Sequence, residues 1–273
     1  MTTHGLAGRR VLITGAGRGL GAATARVLAA RGCRLALVSR SAWPLDALAD
    51  TLADTGVDVA RYAVDLTEGE AADLPKRVAK GSLGGLDALI NCAATVTPLG
   101  RFGTIPASAW DRAFDVNFLA AVRLTRAALE VMPTDWGRIL QISSGAARPP
   151  GILGASAYSV SKAALEAFTT TIATELAGTG ITMNAIRPGT METGMQERLR
   201  RASDDELPPH VRERYEALFC AGHLTGPRVS AEFVAAVMET DINGQVLDSR
   251  RPLANYLAED WDADTGPEGD AFR

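Results

Sequence analysis

Short apolar runs alternate along the chain with longer alanine-rich stretches that have one apolar face. The runs are rich in Val, Ile and Leu, which favours strands, whereas the longer stretches have the periodicity of helices. This alternation is typical of βαβ units on a parallel sheet. Runs such as Val11 to Ile13 and Leu35 to Val38 are apolar throughout, as expected for strands that are buried on both faces. The sequence therefore predicts an α/β protein with a doubly wound parallel sheet and helices on both faces.

Seven runs are predicted to be strands of one sheet. They are Arg10 to Thr14, Arg34 to Ser39, Val57 to Val64, Ala88 to Asn91, Arg138 to Ser143, Thr182 to Arg187 and Gln245 to Leu247. Helices are predicted near Leu20 to Arg31, Pro44 to Asp54, Ala71 to Lys80, Ser108 to Met132, Ala157 to Ala177 and Ser230 to Glu239. The 273 residues, 47% of them hydrophobic, can bury one large core, and nothing marks a break into two domains. We expect a single domain over residues 1–258.

Two regions depart from the alternation. Residues 191–228 are polar and contain Pro208, Pro209 and Pro227, so we expect an insertion that covers the ligand-binding edge of the sheet. Residues 259–273 carry six acidic residues and one arginine. This composition predicts a frayed tail or a subunit contact.

The composition argues against several classes of function. No apolar run reaches the length of about 18 residues that a membrane span requires, and no signal peptide is recognisable at the start, which predicts a cytoplasmic protein without a membrane partner. A net charge of -4 with scattered basic residues leaves no footprint for nucleic acid. The three cysteines are widely spaced and predict neither a disulfide framework nor a metal site.

A glycine-rich turn directly follows the first predicted strand. It reads Thr14-Gly-Ala-Gly-Arg-Gly-Leu-Gly21 and leads into the first predicted helix. Glycines at positions 15, 19 and 21 permit a sharp turn and a close approach to a pyrophosphate, while the helix N-terminus offers unpaired N–H groups and the positive end of its dipole. Glycine turns are common without any ligand, but the position between a first strand and a first helix favours a dinucleotide site. The combination predicts a Rossmann fold.

The end of the second predicted strand decides which nicotinamide dinucleotide is expected. A carboxylate there binds both ribose hydroxyls of NAD and repels the 2′-phosphate of NADP. The chain has Ser39, Arg40 and Ser41 at this point, with no acid. Arg40 can pair with a 2′-phosphate, and Arg18 of the glycine-rich turn offers a second cation. NADP(H) is therefore the expected cofactor; the alternative is that both arginines are ordinary solvated side chains.

A tyrosine and a lysine are spaced by four residues in Tyr158-Ser-Val-Ser-Lys162, within a predicted helix. This spacing places the phenol and the ammonium on one helix face, one turn apart. A nearby cation favours phenolate, so we expect Lys162 to lower the pKa of Tyr158 toward neutral pH, where general acid–base catalysis is efficient. The same spacing is common in exposed helix pairs, so the surrounding motifs decide its meaning.

These motifs together resemble the short-chain dehydrogenase/reductase family over roughly Arg9 to Asp248. The matching segments, in chain order, are the glycine-rich turn, Asp65-Leu66, Asn91-Cys-Ala-Ala94, Asn117, Ser143-Ser144, Tyr158-Ser-Val-Ser-Lys162 and Asn184-Ala-Ile-Arg-Pro-Gly-Thr-Met-Glu-Thr193. Two departures are visible. Ala94 replaces a glycine, and the interval from Ser144 to Tyr158 is one residue longer than in many members.

The resemblance implies a role for each matched residue. Ser144 would hold the substrate oxygen, with Ser143 as the alternative, Tyr158 would protonate it, and Asn117 would keep a water for proton relay. The residues implied to bind the cofactor are Gly15, Arg18, Gly19, Leu20, Ser39, Arg40, Asp65, Leu66, Asn91, Ala93, Tyr158, Lys162, Pro188, Gly189, Met191 and Thr193. Without the resemblance, Asn91 is an ordinary strand-end cap, Asn117 a helix-surface residue and Pro188-Gly189 a simple turn.

Within the family, the sequence is most similar to the sepiapterin reductase and benzil reductase branch. The similarity rests on Met191-Glu-Thr-Gly-Met-Gln196, Ala221-Gly-His-Leu224 and Gly244-Gln-Val-Leu-Asp248. It implies that Asp248 anchors the amino groups of a substrate, although an aspartate at a strand end is more often a turn or salt-bridge residue. The resemblance as a whole implies NADPH-dependent reduction of a ketone or dicarbonyl by a homodimer or homotetramer. The alternatives are a non-catalytic NADP-binding regulatory protein and an NAD-linked alcohol dehydrogenase.

Overall fold

All seven predicted strands form in the computed structural model, which describes residues 4–257. They are β1 (Arg10–Thr14), β2 (Arg34–Ser39), β3 (Val59–Ala63), β4 (Ala88–Asn91), β5 (Gly137–Ile142), β6 (Ile181–Arg187) and β7 (Val246–Asp248). The strands form one sheet in the order β3-β2-β1-β4-β5-β6-β7, and every neighbouring pair is parallel. The predicted fold class is confirmed, with strand ends shifted by one or two residues.

Helices connect successive strands. They are α1 (Gly19–Ala30), α2 (Ala42–Leu52), α3 (Leu74–Lys80), α4 (Ala107–Phe114), α5 (Ala120–Leu129), α6 (Ser156–Glu175), α7 (Gly194–Arg200), α8 (Pro209–Cys220), α9 (Pro227–Met238) and α10 (Ala254–Leu257). The long helix predicted over Ser108 to Met132 is not uniform, because a π-helical turn over Asp115–Leu119 separates α4 from α5. None of the helices within residues 4–257 is long and apolar enough to cross a membrane.

Alternate residues of the central strands pack into different layers. In β1, Val11 and Ile13 face the layer that contains α1 and α9, whereas Leu12 faces the layer that contains α3 and α5. In β2, Leu35 and Leu37 face the first layer in the same way. Burial on both faces explains why these strands are apolar throughout.

The strand order places a crevice at the carboxyl ends of β1 and β4. These strands are neighbours, but the chain leaves them toward opposite edges of the sheet. Ligands of doubly wound proteins bind at such a switch point. The segments that follow β1 and β4 contain several of the predicted cofactor residues, among them Gly15, Arg18 and Ala93.

The predicted insertion over residues 191–228 contains two helices, α7 and α8, that the sequence analysis missed. Pro209 and Pro227 occupy the first positions of α8 and α9, where the missing N–H of proline costs nothing. These prolines therefore begin helices rather than break them. Residues Met191 and Thr225 form a short parallel bridge that brings the two ends of the segment together. The acidic tail, 259–273, lies outside the described residues.

Candidate active site

The glycine-rich turn packs against the segment that follows β4. Gly15 has a φ of +67°, and a Cβ at this position would lie 2.8 Å from the Cα of Ala93. Thr14 Oγ1 accepts hydrogen bonds from the backbone N–H groups of Cys92, at 3.0 Å, and Ala93, at 3.1 Å. The sequence analysis did not count Thr14 as a site residue, although its place at the start of the motif is a usable signal.

The turn also lies against the end of β2, where the cofactor type is decided. A Cβ on Gly17 would lie 3.2 Å from Ser39 Oγ. Arg18 and Arg40 directly follow these two residues, so both arginines lie at the same edge. Both arginines are exposed, and neither pairs with a carboxylate among residues 4–257. The first turn of α1 contains no acidic residue. A ligand rich in phosphate fits this edge, because it would meet two free cations and a helix N-terminus.

Three further predicted cofactor residues have well-defined neighbours. The Asp65 carboxylate accepts hydrogen bonds from the backbone and hydroxyl of Thr67 and from Arg112, which together lower its pKa. Leu66 is buried. The side-chain amide of Asn91 donates to Thr125 Oγ1 at 3.4 Å inside the core. The predicted contacts of these residues with the cofactor stay predictions.

Tyr158 is buried near the start of α6, with 6% of its surface exposed. Burial raises its pKa, while a hydrogen bond with Ser144 opposes the rise. The expectation that this pKa is shifted toward neutral pH is therefore wrong, because burial outweighs the effects that favour the phenolate. The spacing of the two residues does place them together, but it gives no information about the burial that dominates the pKa.

Lys162 is also buried, with 2% exposed. Its Nζ donates a hydrogen bond of 2.6 Å to the carbonyl of Ile142, at the end of β5, and lies 5.9 Å from the centroid of the Tyr158 ring. Burial lowers the pKa of Lys162 to about 8, against the opposing effects of Cys92 and Glu166. At neutral pH most of the ammonium therefore keeps its proton.

The thiol of Cys92 lies between Lys162 and the glycine-rich turn. Lys162 and the backbone of Gly21 both act to lower its pKa. Burial raises the pKa of Cys92 to about 11, so the thiol is neutral. The contacts bring β4, α1 and α6 to one place.

Asn117 lies in the π-helical turn and is 1% exposed. Its side-chain oxygen accepts from the backbone N–H of Thr95 at 2.8 Å, and its nitrogen donates to the carbonyl of Thr95 and to Ser161 Oγ, at 2.9 and 3.1 Å. The amide thus fastens the loop after β4 to α6, close to Lys162. The structure brings Asn117 to the site, and its implied role with a water stays a prediction.

The segment after β6 returns to the glycine-rich turn. The carbonyl of Pro188 accepts a hydrogen bond of 2.6 Å from Ser230 Oγ, and Gly189 has a φ of +74°. A Cβ on Gly19 would lie 3.5 Å from Cγ2 of Thr193. Thr193 therefore faces the start of α1, as expected of a residue that helps to hold a ligand in the crevice.

Asp248 is not a free carboxylate. Its Oδ1 accepts from Nε of Arg250 at 2.9 Å and its Oδ2 pairs with Nη2 at 2.6 Å. Burial alone would raise the pKa of Asp248, but hydrogen bonds from Arg250 outweigh this effect and lower it. Asp248 therefore forms a salt bridge, the alternative that the sequence analysis gave for an aspartate at a strand end, and its contact with a substrate stays a prediction.

A buried ion pair that the sequence analysis missed joins Glu166 of α6 to Arg187 at the end of β6. Glu166 Oε1 accepts from Ser143 Oγ at 2.5 Å and from Arg187 Nε at 2.7 Å, and its Oε2 pairs with Nη2 of the same arginine. Glu166 is one further helical turn from Lys162, which is a signal in the sequence. Its partner Arg187 ends β6 and has no such signal.

Tyr158 belongs to a cluster of mainly apolar side chains. The members of this cluster, which we call the pocket cluster, are Ala94, Val96, Leu99, Ala146, Ile152, Ala155, Met195, Leu199, Ala202, Leu207 and Tyr215. Met195, Leu199, Ala202, Leu207 and Tyr215 belong to the insertion. The insertion therefore covers Tyr158 mainly with apolar groups.

Known proteins are similar to this chain in sequence. A family model described as short chain dehydrogenase matches residues 9–204. The monensin polyketide synthase ketoacyl reductase of Streptomyces virginiae is 31% identical over 257 residues, which cover 91% of this chain and 98% of that protein.

Two solved structures illustrate the similarity in fold. A short chain dehydrogenase from Burkholderia cenocepacia in complex with NADP has a TM-score of 0.78 and 29% identity, covering 90% of this chain and 97% of that one. An NAD+-bound xylitol dehydrogenase has a TM-score of 0.80 and 26% identity, covering 90% and 98%. The chain therefore belongs to the short-chain dehydrogenase/reductase family, whose members are oxidoreductases acting on CH–OH or carbonyl groups.

Proposed function

We propose that this protein uses NADPH to reduce a ketone or dicarbonyl to an alcohol. The observation that carries the proposal is the position of Tyr158, which is buried beside Ser144 and near Lys162. All three lie at the edge of the sheet that also bears the glycine-rich turn. The similarity to a ketoacyl reductase supports the direction of the reaction.

NADPH supplies the hydride when it is bound. The glycine-rich turn and the N-terminus of α1 would hold the pyrophosphate, and Arg18 and Arg40 would pair with the 2′-phosphate. The absence of an acid at the end of β2 supports NADPH over NADH. Both an NADP-bound and an NAD+-bound relative are known, so this choice rests on the two arginines of the chain itself.

Tyr158 is the proposed proton donor. A raised pKa suits this role, because the phenol stays protonated at neutral pH and is ready to donate to a carbonyl oxygen as negative charge develops there. Ser144 would hold the same oxygen by a hydrogen bond. Lys162, cationic at neutral pH, would stabilise the phenolate that remains and bind the nicotinamide ribose.

Two other functions make different predictions. An NAD-linked alcohol dehydrogenase would share the catalytic residues but would prefer NAD over NADP. A non-catalytic NADP-binding regulatory protein would have no need of a buried tyrosine and lysine in contact with the crevice. We favour the reductase because both residues are present and buried together.

Replacing Tyr158 with Phe tests the proposed function. The variant keeps the ring and its packing but loses the proton, so we expect kcat for ketone reduction to fall by about 10²- to 10⁴-fold, the usual contribution of general acid catalysis. NADPH binding, measured by the fluorescence of the bound nicotinamide, should persist. Retained turnover in the variant would contradict the proposed role of Tyr158.

The same assay decides the cofactor. The wild-type kcat/KM with NADPH should exceed the value with NADH, and Arg40→Ala should reduce this preference. Arg101→Ala, which removes an exposed arginine after β4, is the matched control and should leave the preference unchanged. A wild-type preference for NADH would replace the proposal with the NAD-linked alternative.

A further inference from the structure

We propose that Tyr215 is a second hydrogen-bond donor in the substrate pocket, and that the substrates are therefore apolar ketones with a second oxygen acceptor near the reacting carbonyl. The inference rests on the proposed reduction at Tyr158. It assigns a substrate class to the pocket that the insertion forms.

Tyr215 is the contribution of α8 to the pocket cluster. No residue of α8 is fully buried. Tyr215, whose ring is half-buried, is the member of the pocket cluster that comes from this helix. The cluster also contains Tyr158, and the two phenols are close enough to influence each other electrostatically. A helix that is otherwise at the surface thus directs one aromatic ring toward the catalytic residue.

The insertion fixes Tyr215 in this position. Loop residue Gly154 has no space for a side chain, since a Cβ there would lie 2.5 Å from the carbonyl of Glu206 and 2.8 Å from Leu207 Cδ2. Within the insertion, Arg212 pairs with Asp204, and Arg198 pairs with Glu206. These contacts hold α8 against the loop that precedes Tyr158.

The hydroxyl of Tyr215 is available to donate. Within residues 4–257 it has no hydrogen-bond partner, although the remainder of the pocket cluster is apolar apart from Tyr158. Burial raises the pKa of Tyr215 to about 12, and the neighbouring Tyr158 adds to this effect. The phenol therefore stays protonated at neutral pH and can donate a hydrogen bond to an acceptor that reaches it.

The two phenols have separate tasks in this arrangement. Tyr158, assisted by Ser144 and Lys162, serves the carbonyl that is reduced. Tyr215 belongs to α8, and the hydrogen bond of Lys162 Nζ goes to the carbonyl of Ile142, so no neighbouring cation would stabilise a phenolate at Tyr215. It would hold a second oxygen of the substrate without reacting, which selects for dicarbonyls and related ketones against simple ones.

A matched pair of substrates tests this assignment. 1-Phenyl-1,2-propanedione and 1-phenyl-1-propanone differ only in the second carbonyl, and each is assayed with NADPH. We expect Tyr215→Phe to reduce kcat/KM for the dione by about tenfold, as for the loss of one hydrogen bond, chiefly through KM. The monoketone should change by less than about twofold. Tyr62→Phe, which removes the hydroxyl of a tyrosine on β3, should affect neither substrate.

The outcomes separate this inference from the proposed function. If the wild type reduces the monoketone as efficiently as the dione, the reductase stands and the inferred substrate class is wrong. Equal losses for both substrates in Tyr215→Phe would mean that the ring only fills space. If the wild type reduces neither ketone with NADPH, the proposed reaction itself fails, whereas turnover retained in Tyr158→Phe would contradict only the proposed role of that tyrosine.

Discussion

Lys162 is charged in a place where burial disfavours its charge. Its pKa is about 8 in the folded protein, whereas a lysine in the unfolded chain titrates near 10.4. Between these values the unfolded chain binds more protons than the folded one, so the free energy of unfolding rises with pH across this window. The buried charge of Lys162 thus lowers the free energy of unfolding at neutral pH. This cost is consistent with a residue that is present for its chemistry.

We predict that this cost is visible in pH-dependent unfolding. From pH 7 to pH 10, the free energy of unfolding of the wild type should rise by about 2–3 kcal/mol relative to Lys162→Met, which has no such proton to lose. Urea titrations at several pH values measure the difference. Lys80→Met removes an exposed lysine of α3 and serves as the control. Parallel pH curves for the wild type and Lys162→Met would show that the lysine is not perturbed.

The sequence predicts which side chains lie together at the site better than it predicts their pKa values and ion pairs. The four-residue spacing of Tyr158 and Lys162 is a local property of a helix, so it could be read directly. The pKa of Tyr158 depends on its burial under the insertion, which spacing does not reveal. The pairing of Asp248 with Arg250 also escaped notice, although the two are close in sequence, because their orientation depends on the loop that follows β7.

Among the elements, β5, α6 and β6 are joined by the buried group formed by Ser143, Glu166 and Arg187. Arg187 and Glu166 are only 13% and 11% exposed in their side chains. The group lies directly behind Ser144 and one helical turn from Lys162. It therefore fixes the end of β5, which precedes Ser144, against the helix that contains Tyr158 and Lys162.

Breaking this pair should be costly. We expect Arg187→Met to lower the free energy of unfolding by about 3–5 kcal/mol, because Glu166 would remain buried without its partner. The exposed pair of Arg61 and Asp46 is the control, with side chains 48% and 53% exposed, and Arg61→Met should cost less than about 1 kcal/mol. Urea unfolding measures both. Similar losses in the two variants would contradict a special role for the buried pair.

Strands were easier to predict than the helices of the insertion. β1, β2 and β4 are buried on both faces, so their apolar runs are unmistakable, and their bounds were found without error. α8 lies at the surface and exposes most of its length, and α7 has a single buried residue, Leu199, so neither helix has a continuous apolar stripe. Prolines at the start of α8 and α9 added to the difficulty, because the same residue that begins a helix also breaks one.

At the scale of the whole molecule, the long helix α6 has an outer face that is uncharged up to its last residue. The exposed residues of α6 are Val160, Ala163, Ala167, Thr170, Thr171, Thr174 and, at the end, Glu175. A row of half-buried aromatic rings lies beside them, where Phe114 contacts Phe118 and Phe118 contacts Phe168. Surfaces with small, apolar and aromatic groups and few charges are typical of subunit contacts.

This face supports the expected homodimer or homotetramer, and a single carboxylate tests it. In a two-fold symmetric contact the same residue occurs on both sides, so Ala167→Glu would place two negative charges in an apolar interface. We expect light scattering after size exclusion to show an oligomer for the wild type and a shift toward monomer for Ala167→Glu. Ala47→Glu, on the exposed side of α2, should leave the mass unchanged. An Ala167→Glu protein with the wild-type mass would show that this face of α6 is not the contact. Ala167 adjoins Glu166, whose carboxylate binds Arg187. Loss of the subunit contact should therefore also reduce kcat, because the partner would no longer keep α6 in place.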